Sequence, residues 1–173
     1  MKEKILTMRY SSPCGELLLG SFSDKLCLCN WTTEKHPGRV DNRLKAILHA
    51  ECEEATTDIT AEAAKQLDEY FHCGRTTFEI PLLTVGTDFQ KEVWHELLSI
   101  PYGDTVSYKE LSARIGKADA IRAVANANGA NAISIFIPCH RVIGSNHSLT
   151  GYGGGLGAKQ FLLKLEQAGL KQT

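Results

Sequence analysis

The chain has 173 residues and a mass of 19.0 kDa, enough for one ordinary domain or two small ones packed together. An apolar fraction of 43% and a charged fraction of 23% exclude disorder, collagen-like repeats and mucin-like stalks. The net charge of −1 hides an asymmetry: residues 1–104 carry 11 basic and 17 acidic side chains, residues 105–173 carry 8 and 3, so the C-terminal part is the one suited to meet a polyanion.

No apolar run approaches the ~18 residues of a membrane span. The longest, at 133–139, is interrupted by Ser134 and Pro138. Met1-Lys2-Glu3-Lys4 is not followed by the continuous apolar region of a signal peptide, which points to a non-secreted, cytoplasmic protein without membrane partners. Cysteines stand at 14, 27, 29, 52, 73 and 139. In a reducing compartment disulfides are not expected, and Cys27-x-Cys29 fits no zinc spacing, so the first five read as buried or inert thiols.

In chain order, residues 5–10 are β-compatible, Ser12-Pro13-Cys14-Gly15 punctuates, and 16–22 resumes with Leu17, Leu18 and Leu19. Ser23-Asp24-Lys25 suits a hairpin turn before a third strand at 26–31. A polar helix is expected at 42–49. A stronger one near Thr60 carries Ala64, Leu67 and Phe71 on one face, with Gly74 just past its end. Residues 77–80 read as a further strand and 81–86 as a linker. This first half carries no motif that points to chemistry.

Beyond the linker the helix signals sharpen. Thr87-Asp88-Phe89-Gln90 is a capping box ahead of an apolar stripe of Phe89, Val93 and Leu97, ended by Pro101-Tyr102-Gly103-Asp104. Ser107-Tyr108-Lys109-Glu110 is a second capping box, opening a short helix that Gly116 stops. An alanine-rich helix follows at about 118–126, and two short helices joined by a tight turn form a helix-turn-helix signature. Alanines at 118, 120, 123 and 125 permit close approach to a groove or to neighbouring helices. The glycine-rich run at 151–157 precedes a last amphipathic helix at about 158–168; it lacks the spacing of nucleotide-binding loops and reads as a close-approach loop.

Residues 132–137 read as a buried strand leading into Pro138-Cys139-His140-Arg141. Proline forces a rigid turn there, and imidazole and guanidinium beside a thiol favour the thiolate. Ile137-Pro138-Cys139-His140-Arg141-Val142 resembles the active-site motif of the O6-alkylguanine-DNA alkyltransferases. The likeness extends through Tyr102-Gly103, Ser107-Tyr108, Arg122-Ala123-Val124, Asn131 and Gly151-Tyr152-Gly153-Gly154-Gly155 to Glu166. It covers about half the chain, roughly residues 88–166; the first half matches only in the Ser12-Pro13-x-Gly15 turn and its strand-helix layout.

The resemblance implies an α+β fold: a small strand-helix domain at 1–85, then a mainly helical domain at 86–173 with the helix-turn-helix and the active-site loop. It implies transfer of a methyl or alkyl group from O6 of guanine in double-stranded DNA (O4 of thymine being a further candidate) to Cys139. Each molecule acts once, as a monomer, with no cofactor and no metal. His140, bridged through a water to Glu166, would accept the thiol proton. Asn131 would hold the reactive turn, and Tyr108 would donate to the departing guanine. Tyr152, Gly153 and Val142 would line the base pocket. The target base must be flipped out of the duplex, with Arg122 filling the vacated stack and Ala123, Arg141 and Ser107 also meeting DNA. A lesion-binding relative without transfer activity, a helix-turn-helix regulator and a cysteine hydrolase are the competing readings.

Overall fold

The computed structural model describes residues 2–33, 38–145, 152 and 154–171. Three antiparallel strands open the chain: β1 (Ile5–Ser12), β2 (Gly15–Phe22) and β3 (Lys25–Trp31). The β2–β3 turn places Ser23 at φ 50° and Asp24 at φ 59°, left-handed values that match the twist of the flanking strands. Helix α1 (Arg39–Leu48) starts three residues before the expected helix and leads to a short β4 (Cys52–Glu54), which pairs parallel to β1. The sheet order is therefore β3-β2-β1-β4.

Helix α2 (Asp58–Phe71) opens on a Thr57–Thr60 capping box and lays Ala63, Leu67 and Tyr70 into the core. The strand expected at 77–80 does not form. Gln66 instead brackets Glu79: its amide donates to the Glu79 carbonyl at 2.9 Å, and its carbonyl accepts from the Glu79 amide at 3.0 Å. A helix side chain thus satisfies backbone groups that a ladder would otherwise serve. The 81–86 linker is packed rather than free, because Leu26 donates to the Pro81 carbonyl and Leu83 to the Leu26 carbonyl, each at 2.8 Å.

The second half carries α3 (Asp88–Leu97), β5 (Val106–Ser107), α4 (Tyr108–Arg114), α5 (Ile121–Gly129), β6 (Val142–Ile143) and α6 (Leu156–Leu170). Both expected capping boxes form, Thr87 with Gln90 and Ser107 with Glu110. Gly116, at φ 73°, lets the chain leave α4 and turn toward α5. Residues 132–137 are buried but are not the expected strand, since Ile135 sits at φ 73° and breaks the extended run. Only their first part pairs with the sheet: Cys29 donates to the Ala132 carbonyl and Ser134 to the Cys29 carbonyl, both at 2.8 Å.

One continuous core runs through both halves, from Ile5, Leu19 and Leu67 to Val93, Leu97, Ile133 and Leu162. Among the described residues no helix is long and apolar enough to cross a membrane. All six cysteines are free; Cys27 and Cys29 are buried, Cys14 and Cys73 are half-buried, and Cys52 is exposed.

Candidate active site

Cys139 opens a single 3-10 turn, Cys139–Arg141, directly after Pro138. Asn131 spans the approach to it, donating to the Ile137 carbonyl at 2.9 Å and to Ile133 at 3.5 Å while accepting from the Ile133 amide at 3.0 Å. Asn128 adds a longer contact to the Cys139 carbonyl at 3.4 Å. The thiol is buried, and burial pushes its pKa up. Asn131, Lys159 and Ser134 oppose that shift by favouring the thiolate.

Behind the thiol lies a fully buried ionic cluster. His140 Nε2 meets Glu166 Oε2 directly at 2.7 Å, so the expected water bridge between them is corrected to a direct contact. Burial lowers the His140 pKa, more than Glu166 raises it, which favours the neutral ring. With Nε2–H donating to the carboxylate, the lone pair stands on Nδ1, which is buried and has no hydrogen-bond partner among the described residues. A neutral imidazole nitrogen of this kind can accept a proton.

Arg141 does not lie on a DNA-facing surface. Its guanidinium is buried, donating from Nε to Glu166 Oε1 at 2.9 Å, from Nη2 to Oε2 at 3.0 Å and from Nη1 to the Ile100 carbonyl at 2.7 Å. The expectation of a DNA contact fails because the 3-10 turn points the side chain inward, where a buried carboxylate needs a counter-charge. Burial would raise the Glu166 pKa, but His140 and Arg141 outweigh it and hold the carboxyl well below the usual range. The Gly103 amide donates to Oε1 at 3.1 Å and the Tyr70 hydroxyl to Oε2 at 2.6 Å.

The other expected residues surround this centre or the helix pair. Tyr108, half-buried, is the first residue of α4, and the Ser107 hydroxyl caps that helix by accepting from the Glu110 amide at 3.0 Å. Arg122 and Ala123 are exposed in the first turn of α5. Val142 is buried in β6, paired with Val106. Tyr152 is buried edge-on to Trp31, ring centroids 6.0 Å apart, and burial raises its pKa well above the usual value. Gly153 lies outside the described residues, as does Gly151.

Two further side chains belong to the centre. Lys159 is buried, donates to the Val142 carbonyl at 2.6 Å and sits 5.9 Å from the centre of the Tyr108 ring. Burial pushes its pKa down to about 8, against the opposing pull of Cys139. The available signal was its place seven residues before Glu166, two turns away on one face of α6. Tyr70 reaches Glu166 from α2, and its position on an apolar helix face looked like ordinary core. The described residues contain no cluster of His, Cys, Asp or Glu able to hold a metal ion.

Comparison with known proteins gives a consistent picture. Residues 88–168 match the family described as 6-O-methylguanine DNA methyltransferase, DNA binding domain. The constitutive methylated-DNA–protein-cysteine methyltransferase of Bacillus subtilis (strain 168) is 41% identical over 162 residues, 93% of this chain and 94% of the relative. Its counterpart from Methanosarcina acetivorans is 41% identical over 157 residues, 91% and 95% of the two chains. The crystal structure of the Mycobacterium tuberculosis O6-methylguanine methyltransferase superposes with a TM-score of 0.78 at 38% identity, covering 96% of this chain and 93% of that one. The Mycobacterium tuberculosis OGT in complex with DNA gives 0.79 at 38%, covering 96% and 94%.

Proposed function

The chain belongs to the methylated-DNA–protein-cysteine methyltransferase family, and from that membership we propose how its own residues carry the reaction. It is a DNA repair protein that takes an alkyl group from O6 of guanine onto one of its own cysteines, once per molecule. In this reading the acceptor is Cys139. The carbon–sulfur bond forms as the carbon–oxygen bond to guanine breaks, and the thiol proton passes to His140 Nδ1. Glu166 holds the ring in the tautomer that leaves Nδ1 basic and stabilises the imidazolium that results. Lys159 and Asn131 favour the thiolate in a site whose burial opposes it. Tyr108, under the Lys159 ammonium, donates to the guanine as negative charge grows on it.

A thiol buried this deeply is out of reach of a stacked base, so the damaged nucleotide must leave the helix. Arg122, exposed at the start of α5, fills the gap, and Ala123 beside it allows close approach. Tyr152 and its glycine-rich surroundings wall the base. The alkyl-acceptor and DNA-binding unit is residues 86–173, and residues 1–85 complete its core. A cytoplasmic location belongs to the same reading, because the acceptor thiol must stay reduced.

The observation that carries this reading is the Cys139 turn backed by the buried His140–Glu166 pair with Nδ1 left open. Its test is incubation of the protein with duplex DNA containing one O6-methylguanine. One methyl mass increment on the Cys139 peptide is expected after one equivalent. Cys139→Ala should bind the duplex and gain no methyl. Methyl transfer in that variant, or continued turnover in excess DNA, would overturn the assignment.

A further inference from the structure

Glu166 Oε2 is shared by three donors from two parts of the chain. His140 Nε2 lies at 2.7 Å, Arg141 Nη2 at 3.0 Å and the Tyr70 hydroxyl at 2.6 Å. Only Tyr70 comes from the first half, and it comes from the last turn of an ordinary-looking helix. Its ring is fixed on all sides: Phe71 at 5.2 Å and Tyr102 at 6.2 Å are edge-on to it, and Phe78 is tilted at 5.5 Å. Fully buried and wedged among aromatics, the phenol has a single direction in which to donate, and that is toward the oxygen that also receives the His140 proton.

We propose that Tyr70 is a positioning residue of the transfer reaction, setting the basicity of His140 by competing with it for Glu166 Oε2. This rests on the reading of His140 as acceptor of the Cys139 proton. Each hydrogen bond donated to a carboxylate oxygen draws charge from it, so less remains to stabilise an imidazolium on the same oxygen. Arg141 alone would neutralise the carboxylate. The tyrosine adds a neutral donor whose strength tunes the remainder and keeps the histidine unprotonated and ready. It also ties the first half of the chain to the reacting centre, which shared core packing alone does not do.

Other groups around the pair are the same in every variant, and Lys159, depressed to about 8, titrates only at the upper end of the pH range, away from the acid-side fall. Arg141 and Lys159 oppose a charged His140, and Glu166 favours it. Tyr102 faces Glu166 from the segment after α3, with Cys73 beside it, and Tyr152 faces Tyr70. Neither Tyr102 nor Tyr152 donates to Oε2, and Arg141 Nη2, which does, is the same in every variant.

The experiment measures the rate of Cys139 alkylation by the free base O6-methylguanine from pH 5 to 8, in the full chain, so that DNA binding does not enter. The wild-type rate should fall on the acid side with a midpoint below the ordinary histidine value, about 6.5. Tyr70→Phe removes a donor, makes Oε2 more basic and should move that midpoint up by about half a unit. Replacing Tyr70 by a ring-fluorinated tyrosine, a stronger donor of the same shape, should move it down. Phe78→Leu, which loosens the same aromatic cluster without touching Glu166, should lower stability and leave the midpoint in place.

A midpoint unmoved in both Tyr70 variants overturns the proposal. Should Tyr70→Phe fail to fold, the fluorinated protein decides alone, since it preserves the packing. The underlying reading fails in a different way: His140→Gln would then leave the acid-side fall intact in an otherwise active protein.

Discussion

Replacing Arg141 by methionine removes three hydrogen bonds at once while filling much of the same volume. Glu166 keeps His140, Tyr70 and the Gly103 amide but loses its permanent counter-charge, and the Ile100 carbonyl loses its side-chain donor. Breaking a buried pair by deleting one partner costs about 3–5 kcal/mol, against a total stability of roughly 5–15 kcal/mol. For a chain of this length the melting temperature should drop by roughly 6–20 °C. The pH dependence follows from Glu166, whose folded pKa lies below its unfolded one. Such a group contributes stability above the ordinary carboxylate range and loses it as pH falls through the folded value. The gap between wild type and variant should therefore be full at pH 7 and narrow below about pH 5. Urea denaturation across that range measures it, and adding Glu166→Gln to Arg141→Met should recover part of the loss, because the two positions are coupled. An unchanged denaturation midpoint, with the slope of log K against log salt for duplex binding reduced by about one, would refute the reasoning and restore Arg141 to the DNA surface.

Lys159→Met should stabilise the fold by about 1–2 kcal/mol at pH 7 and slow alkyl transfer about tenfold. The sign follows from a lysine depressed to about 8, whose burial penalty disappears as pH rises toward its unfolded value, so the variant's advantage should vanish by about pH 10 in denaturation curves. Arg122→Ala should slow repair of duplex DNA by roughly ten- to a hundredfold at saturating DNA, with little effect on attack at free O6-methylguanine in single-turnover assays. Equal slowing on both substrates would remove it from the stack-filling role. Asn131→Ala should cost about 1–3 kcal/mol, because it leaves the Ile133 amide unpaired inside the core while the Ile137 carbonyl keeps the Cys139 amide, and calorimetry would register the loss.

Local signals were legible wherever chemistry and spacing coincide within a few residues. The capping boxes at Thr87 and Ser107 follow from side chains that satisfy nearby backbone groups, and the Ser23-Asp24 turn and the Gly116 stop from residues that tolerate positive φ. Cys139, His140 and Glu166 were legible through the family resemblance, and proximity in sequence alone could not have joined residues 140 and 166. The misreadings share one cause, which is tertiary structure overriding local pattern. Residues 132–137 alternate like a strand, but Asn131 clamps them into a turn with Ile135 at positive φ. Arg141 looked like a surface cation because nothing nearby in sequence announces a buried carboxylate. Tyr70 and Lys159 sit on helix faces that would serve equally well as plain core, and only the fold shows that each reaches the centre from another segment.

The sheet's two borders bear on what happens to this protein in numbers. Along β3, residues 81–83 and 132–134 take up the backbone groups that would otherwise lie bare. On the far side, β4 is three residues long and exposed, with Glu53 and Glu54 on it. A short, acidic border repels a second copy, and a covered one has nothing to offer it. A protein consumed by every lesion it removes must be made afresh in proportion to damage. Crowded molecules therefore meet a covered border along β3 and only a short, acidic strand at β4.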